Sequence, residues 1–254
     1  MTSKMTLSTL RVALLPALVV IALAIITAPV MRWLWGEWMS NEYYSHGILI
    51  PPVSLYLIYQ RIRLDRTLRW EPGRGALYGL ALIGAGLLFY FLALDWRAFY
   101  LATFSMIAIV LGLLWVFGGT PAVSKLWFPI LFLALMVPLP LLDRTTLPLA
   151  LFTGVCSGAI VQFFGLDITV VGNSITMPNA NLVVGAQCSG VNSLIALTSL
   201  MVLTAYLVSG PIVNRLFLIF LAIPIAVIGN IVRVASLLVV ARFYGAQAAF
   251  IFYH

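Results

Sequence analysis

Two CSG tripeptides hold the only two cysteines of the chain, Cys156 and Cys188, and their settings differ. Cys188 lies in "VVGAQCSGVNSL", Val183 to Leu194, where a polar, turn-rich stretch gives way to a long apolar run. A helix starting there turns its free N–H groups and the positive end of its dipole toward the sulfur, which predicts a lowered thiol pKa and a nucleophile. Cys156 is embedded in an apolar helical run, where cysteine behaves as a small hydrophobe and burial raises the pKa. A small packing residue is the plain alternative for Cys188. A Cys156–Cys188 disulfide would only staple two segments together.

Arg233 sits within an apolar helix, where a mid-membrane position costs about 2.5–3.5 kcal/mol and so demands a polar cavity or an edge. Eighteen residues separate it from Arg215, about 27 Å of helix at ~1.5 Å each, close to the ~30 Å hydrocarbon thickness. With Arg215 at the inner boundary, Arg233 reaches the outer one, where Cys188 also falls. Asn230, one turn earlier on the same face, favours a shared polar site over a guanidinium that merely snorkels. Arg233 precedes Gly245 by twelve residues and His254 follows it by nine, so a hairpin near Gly245 returns the imidazole to that depth.

A thiol, a guanidinium and an imidazole at one level are the parts of a cysteine acyl-transfer site. The sulfur attacks a carbonyl, the imidazole moves the proton, and the guanidinium stabilises thiolate or oxyanion. Ser189, Gly190 and Asn230 are supporting candidates, and His46 is the substitute base. Ser189 offers a serine alternative, but the thiol is the stronger nucleophile. His46 also reads as an interfacial histidine capping a helix, and a lone His254 as satisfied packing.

The elements that must position these groups are membrane helices. Of 254 residues, 63% are hydrophobic and 8% charged, which predicts an all-α polytopic membrane protein. The apolar runs are continuous, unlike the alternating strands of a barrel. About seven to eight spans follow: 12–30, 47–60 with Pro51-Pro52 interrupting it, 76–94, 98–117, 126–142, 190–208, one from Leu216, and the start of a last one. The first is retained rather than cleaved, being longer than a signal peptide's apolar region. "RIRLDRTLRWEPGR", with five arginines against one Asp and one Glu, marks a cytoplasmic loop. Alternation then puts the N-terminus inside and 143–187 outside, as an extracytoplasmic insertion within a single domain, 1–254. Its "LPLALFTGVCSGAIVQFFGL" stretch reads as an interfacial helix. Its "DITVVGNSITMPNANLVV" stretch reads as a small β-hairpin.

The net charge of +7 is explained by loop asymmetry, so nucleic acid is not expected as a partner. The two cysteines and two histidines lack metal-ligand spacing, and neither a metal nor an organic cofactor is expected. A transporter or channel lined by Arg233, Asn230 and His254 is the rival from another class. It lacks internal repeats and mid-membrane acids. A non-catalytic scaffold subunit is the second rival.

"AQCSGVNSL", then "GNIVR", then the terminal His resemble the exosortases, bacterial relatives of the archaeosortases. "YYSHGILIPP" is similar to a stretch that family carries near its N-terminus. The resemblance runs from about Trp33 to His254. It implies a cysteine protease or transpeptidase of the bacterial inner membrane, with its active site on the periplasmic side. The implied partners are membrane lipid and the C-terminal sorting-signal helix of exported proteins, of the PEP-CTERM type. By position, the nucleophile falls on Cys188, the arginine on Arg233 and the histidine on His254. Family members continue past this histidine, so a truncated sequence is the expectation. The acceptor and oligomeric state are left open.

Overall fold

The computed structural model describes residues 7–172, 174–178, 180–183 and 185–253. The chain is mostly helical and divides into two compact units, Met1–Pro138 and Leu139–His254. Among the described residues, four stretches are long and apolar enough to cross a membrane: Ala76–Asp95, Phe99–Met136, Arg144–Phe163 and Ile212–Tyr244.

In the first unit, α1 (Leu7–Ser40) runs on through the Trp-rich stretch, and a 3-10 segment, Glu42–Leu49, follows. Pro51 and Pro52 do not interrupt α2 (Ile50–Leu64). They open it, at first-turn positions where a missing N–H costs nothing. Helix α3 (Ala76–Asp95) pairs antiparallel with the first limb of α4 (Phe99–Phe132), Gly79 lying against Gly112 and Gly86 against Ile109. Gly119, at φ 76° and ψ 173°, breaks α4 beside the arginine-rich loop, a backbone state that a side chain would resist. The second limb runs antiparallel to α2: Lys125 pairs with Asp65 at 3.3 Å, and Ser54 Oγ donates to the Pro129 carbonyl at 2.6 Å. The two spans expected over 98–142 are thus the limbs of one broken helix, the second ending near Met136 rather than at Leu142. Tyr90 Oη donates to the Ile26 carbonyl at 2.6 Å, joining α3 to α1.

The second unit holds α5 (Pro140–Phe163), β1 (Thr169–Val171), β2 (Ser174–Met177), β3 (Ala180–Val183), α6 (Val191–Leu207), α7 (Ile212–Tyr244) and α8 (Ala246–Tyr253). The stretch read as an interfacial helix is α5, whose Arg144–Phe163 part has the length and apolarity of a span. The expected hairpin is instead a three-stranded antiparallel meander, β1-β2-β3, with Val170 opposite Ile175 and Ile175 opposite Leu182. The reason is that Gly172 and Pro178 each lie in a turn, and two turns join three strands. Ile175, Met177 and Leu182 of the sheet share one buried cluster with Val161 of α5, with Val234, Ala235, Leu238 and Ala241 of α7, and with Ala249 of α8. The expected break at Gly245 is present between α7 and α8, at φ 86°.

Candidate functional site

The Cys188 turn is built from its backbone outward. A 3-10 segment, Ala186–Ser189, leads into α6, and the Cys188 N–H donates to the Gly185 carbonyl at 3.0 Å. Gly190 then takes the left-handed conformation, φ 75° and ψ 8°, and its carbonyl accepts the Leu194 N–H at 2.9 Å to start the helix. Ser189 Oγ accepts from the Val191 N–H at 3.3 Å, which caps one free donor of the helix start. Ser189 is buried, at 4% exposure, and holds the turn.

Asn230 ties this turn to two helices. Its Nδ2 donates to the Cys188 carbonyl at 2.8 Å and to Thr153 Oγ1 of α5 at 3.1 Å. Its Oδ1 accepts from the Arg233 Nη2 at 2.6 Å, a charge-assisted bond. Asn230 is 4% exposed, so each bond replaces hydration the amide has lost. The fit is close: a Cβ on Gly190 would lie 2.5 Å from Asn230 Cγ. The shared polar site expected of Asn230 and Arg233 is thus built as a hydrogen-bonded pair.

The lowered thiol pKa expected for Cys188 is not found. Burial pushes the thiol above its ordinary value, against the Arg233 charge and a hydrogen bond from the Gly185 backbone, both of which favour the thiolate. Cys188 is half-buried and packs against the apolar cluster shared by the sheet, α5 and α7, and that desolvation outweighs the single cation. Both cysteines are free thiols, and Cys156 lies half-buried within α5.

An open groove of about 510 Å³ runs between α6 and α7, lined by Ser193, Ala196, Leu200, Ala226 and Gly229 and bounded by Asn230 and Arg233. No group of metal-ligating side chains occurs among the described residues. His254 lies outside the described residues. His46 belongs to the first unit, on the Glu42–Leu49 segment. Neither ring nitrogen has a hydrogen-bond partner of normal geometry, and burial pushes the imidazole below its ordinary value against weaker contacts with the Leu135 and Tyr43 backbones.

Thr153 is a site residue that sequence reasoning misses. A signal for it exists: Thr153, Gly154, Ser157 and Gly158 recur at helical spacing, and all four are buried. Ser157 Oγ donates to the Ile231 carbonyl at 2.9 Å, so this stripe is the face of α5 that meets α7.

Apolar helices of spanning length define the chain as a membrane protein, and in its second unit one amide joins the Cys188 backbone carbonyl to a guanidinium. Residues 38–254 match the family model of the transmembrane exosortases, and the chain belongs to that family. No match was found among curated proteins or among solved structures.

Proposed function

We propose that this chain is a cysteine transpeptidase or protease of the bacterial inner membrane that processes C-terminal sorting signals of exported proteins. The observation that carries the reading is the Asn230 bridge, which holds the Cys188 carbonyl and the Arg233 guanidinium on one amide. A guanidinium so placed stabilises negative charge at the sulfur or at a developing oxyanion. The raised thiol pKa means that Cys188 rests protonated and needs a base when substrate binds. In this reading that role falls to His254, by its resemblance to the family's histidine, with His46 as the substitute base.

In the reaction, the Cys188 S–H gives its proton to the base as the C–S bond forms on the scissile carbonyl. The tetrahedral oxyanion collapses, the C–N bond breaks, and the departing amine takes up the proton. Water or an incoming amine then displaces sulfur from the thioester. The substrate is a sorting signal of the PEP-CTERM type, whose apolar helix comes in laterally through lipid. The site lies on the periplasmic side, with the N-terminus in the cytoplasm, and 143–187 is an extracytoplasmic insertion.

The test is cleavage of a co-expressed sorting-signal substrate in membranes. Cys188→Ala abolishes processing, whereas Cys156→Ala retains most of it, and mass spectrometry finds the thioester on Cys188. Equal processing by both variants would overturn the proposal.

A further inference from the structure

A side-chain amide offers two N–H donors and one carbonyl acceptor, and the site fills all of them at Asn230. The Cys188 carbonyl only accepts and the Arg233 guanidinium only donates, so these two decide which way the amide faces. One N–H is left over, in a residue 4% exposed, and Thr153 Oγ1 receives it at 3.1 Å. Thr153 is itself 2% exposed. One turn further along α5, Ser157 holds the Ile231 carbonyl, so α5 grips α7 through the side chain of Asn230 and the backbone of the next residue.

We propose that Thr153 is a positioning residue for the reaction described above: from α5 it fixes the Asn230 amide that sets the Cys188 turn against Arg233. The inference rests on Cys188 being the nucleophile. Its physical core is that a buried N–H cannot be left unpaired without cost. Remove the Thr153 hydroxyl, and the Asn230 side chain gains by rotating toward another acceptor. That rotation breaks the amide's bonds to the Cys188 carbonyl and to the Arg233 guanidinium together. The Arg233 charge acts on the Cys188 sulfur, so the release is readable at the thiol itself. Among the described residues, Arg233 is the charged group whose field bears on that sulfur.

The experiment follows the rate of Cys188 alkylation by iodoacetamide against pH, in full-length protein carrying Cys156→Ala, alongside substrate cleavage. Thr153→Val, matched in shape, moves the alkylation profile to higher pH in the same direction as Arg233→Gln. It also slows cleavage on the order of tenfold to hundredfold, as misplaced reacting groups do. Thr153→Ser restores both. An unmoved profile in Thr153→Val, or a Thr153→Ser protein as impaired as the Val variant, overturns the proposal. So does an Arg233→Gln profile that coincides with the parent, since the coupling would then be absent. Should the Val variant not accumulate in membranes, Thr153→Ala is read by the same criteria. The alkylation readout needs no substrate. A chain that shows these shifts but cleaves nothing would refute the proposed reaction, and with it a catalytic role for Thr153, while the link from Thr153 through Asn230 to the Cys188 turn would stand.

Discussion

The Cys188 sulfur is pulled two ways, and the balance sets how the chemistry runs. Burial against the apolar cluster favours the neutral thiol, while Arg233 and the Gly185 backbone favour the thiolate. Burial prevails, so the folded pKa lies above that of an ordinary thiol, and the thiolate fraction at neutral pH is small. Alkylation of Cys188 should therefore still be climbing above pH ~8.5, where a free thiol is half ionised. Arg233→Gln removes a charge that favours the anion, so its profile moves further to alkaline pH and its rate at pH 7 falls. Profiles read by mass spectrometry check this, and a parent midpoint well below that of free cysteine would contradict it. The helix start and the cation are legible in the sequence. The burial is not, because it comes from strands, α5 and α7 that meet only in the folded chain.

At the scale of elements, the link between the Cys188 turn and α7 depends on Gly190. Its φ of 75° lies in the left-handed region, which costs an L side chain roughly 1–2 kcal/mol. A Cβ there would also stand 2.5 Å from Asn230 Cγ. Gly190→Ala should lower the melting temperature in detergent and remove most cleavage. Gly190→Asn separates the two causes, since asparagine tolerates the left-handed region but still carries a Cβ. If the Asn variant cleaves like the parent, backbone conformation was the constraint and the close approach was not. Several elements can be read from residues directly: the Asn230–Arg233 pair from its spacing, the break at Gly245, and α3 from its apolar run. The third strand is missed because two turn signals so close together read as one hairpin. Thr153 is missed because a long-range bond joins residues 77 apart in the chain, while an apolar helix with a small polar stripe resembles any packed helix.

At the scale of the molecule, the proposed position of the site relative to lipid rests on helix length and on the sheet. Helix α7 has 33 residues, about 50 Å at ~1.5 Å each, against ~30 Å of hydrocarbon. The part beyond Arg233, from Val234 to Ala241, packs on the three-stranded sheet. An open-edged sheet has backbone donors and acceptors that lipid cannot satisfy, so it belongs outside the hydrocarbon layer. On the proposed topology Arg233, one residue before that packed part, sits at the boundary, where its charge costs least. The proposed topology puts the arginine-rich loop, residues 61–74, in the cytoplasm and the sheet on the periplasmic side. Single-cysteine labelling tests the arrangement, using Ser174→Cys on β2 and Thr67→Cys in the loop, both exposed, with Cys156 and Cys188 changed to Ala. In spheroplasts of an expression host, a membrane-impermeant maleimide should label Ser174→Cys at once and Thr67→Cys only after permeabilisation. The reverse pattern would place Cys188 in the cytoplasm, where an exported protein's sorting signal would meet the nucleophile before translocation rather than after it.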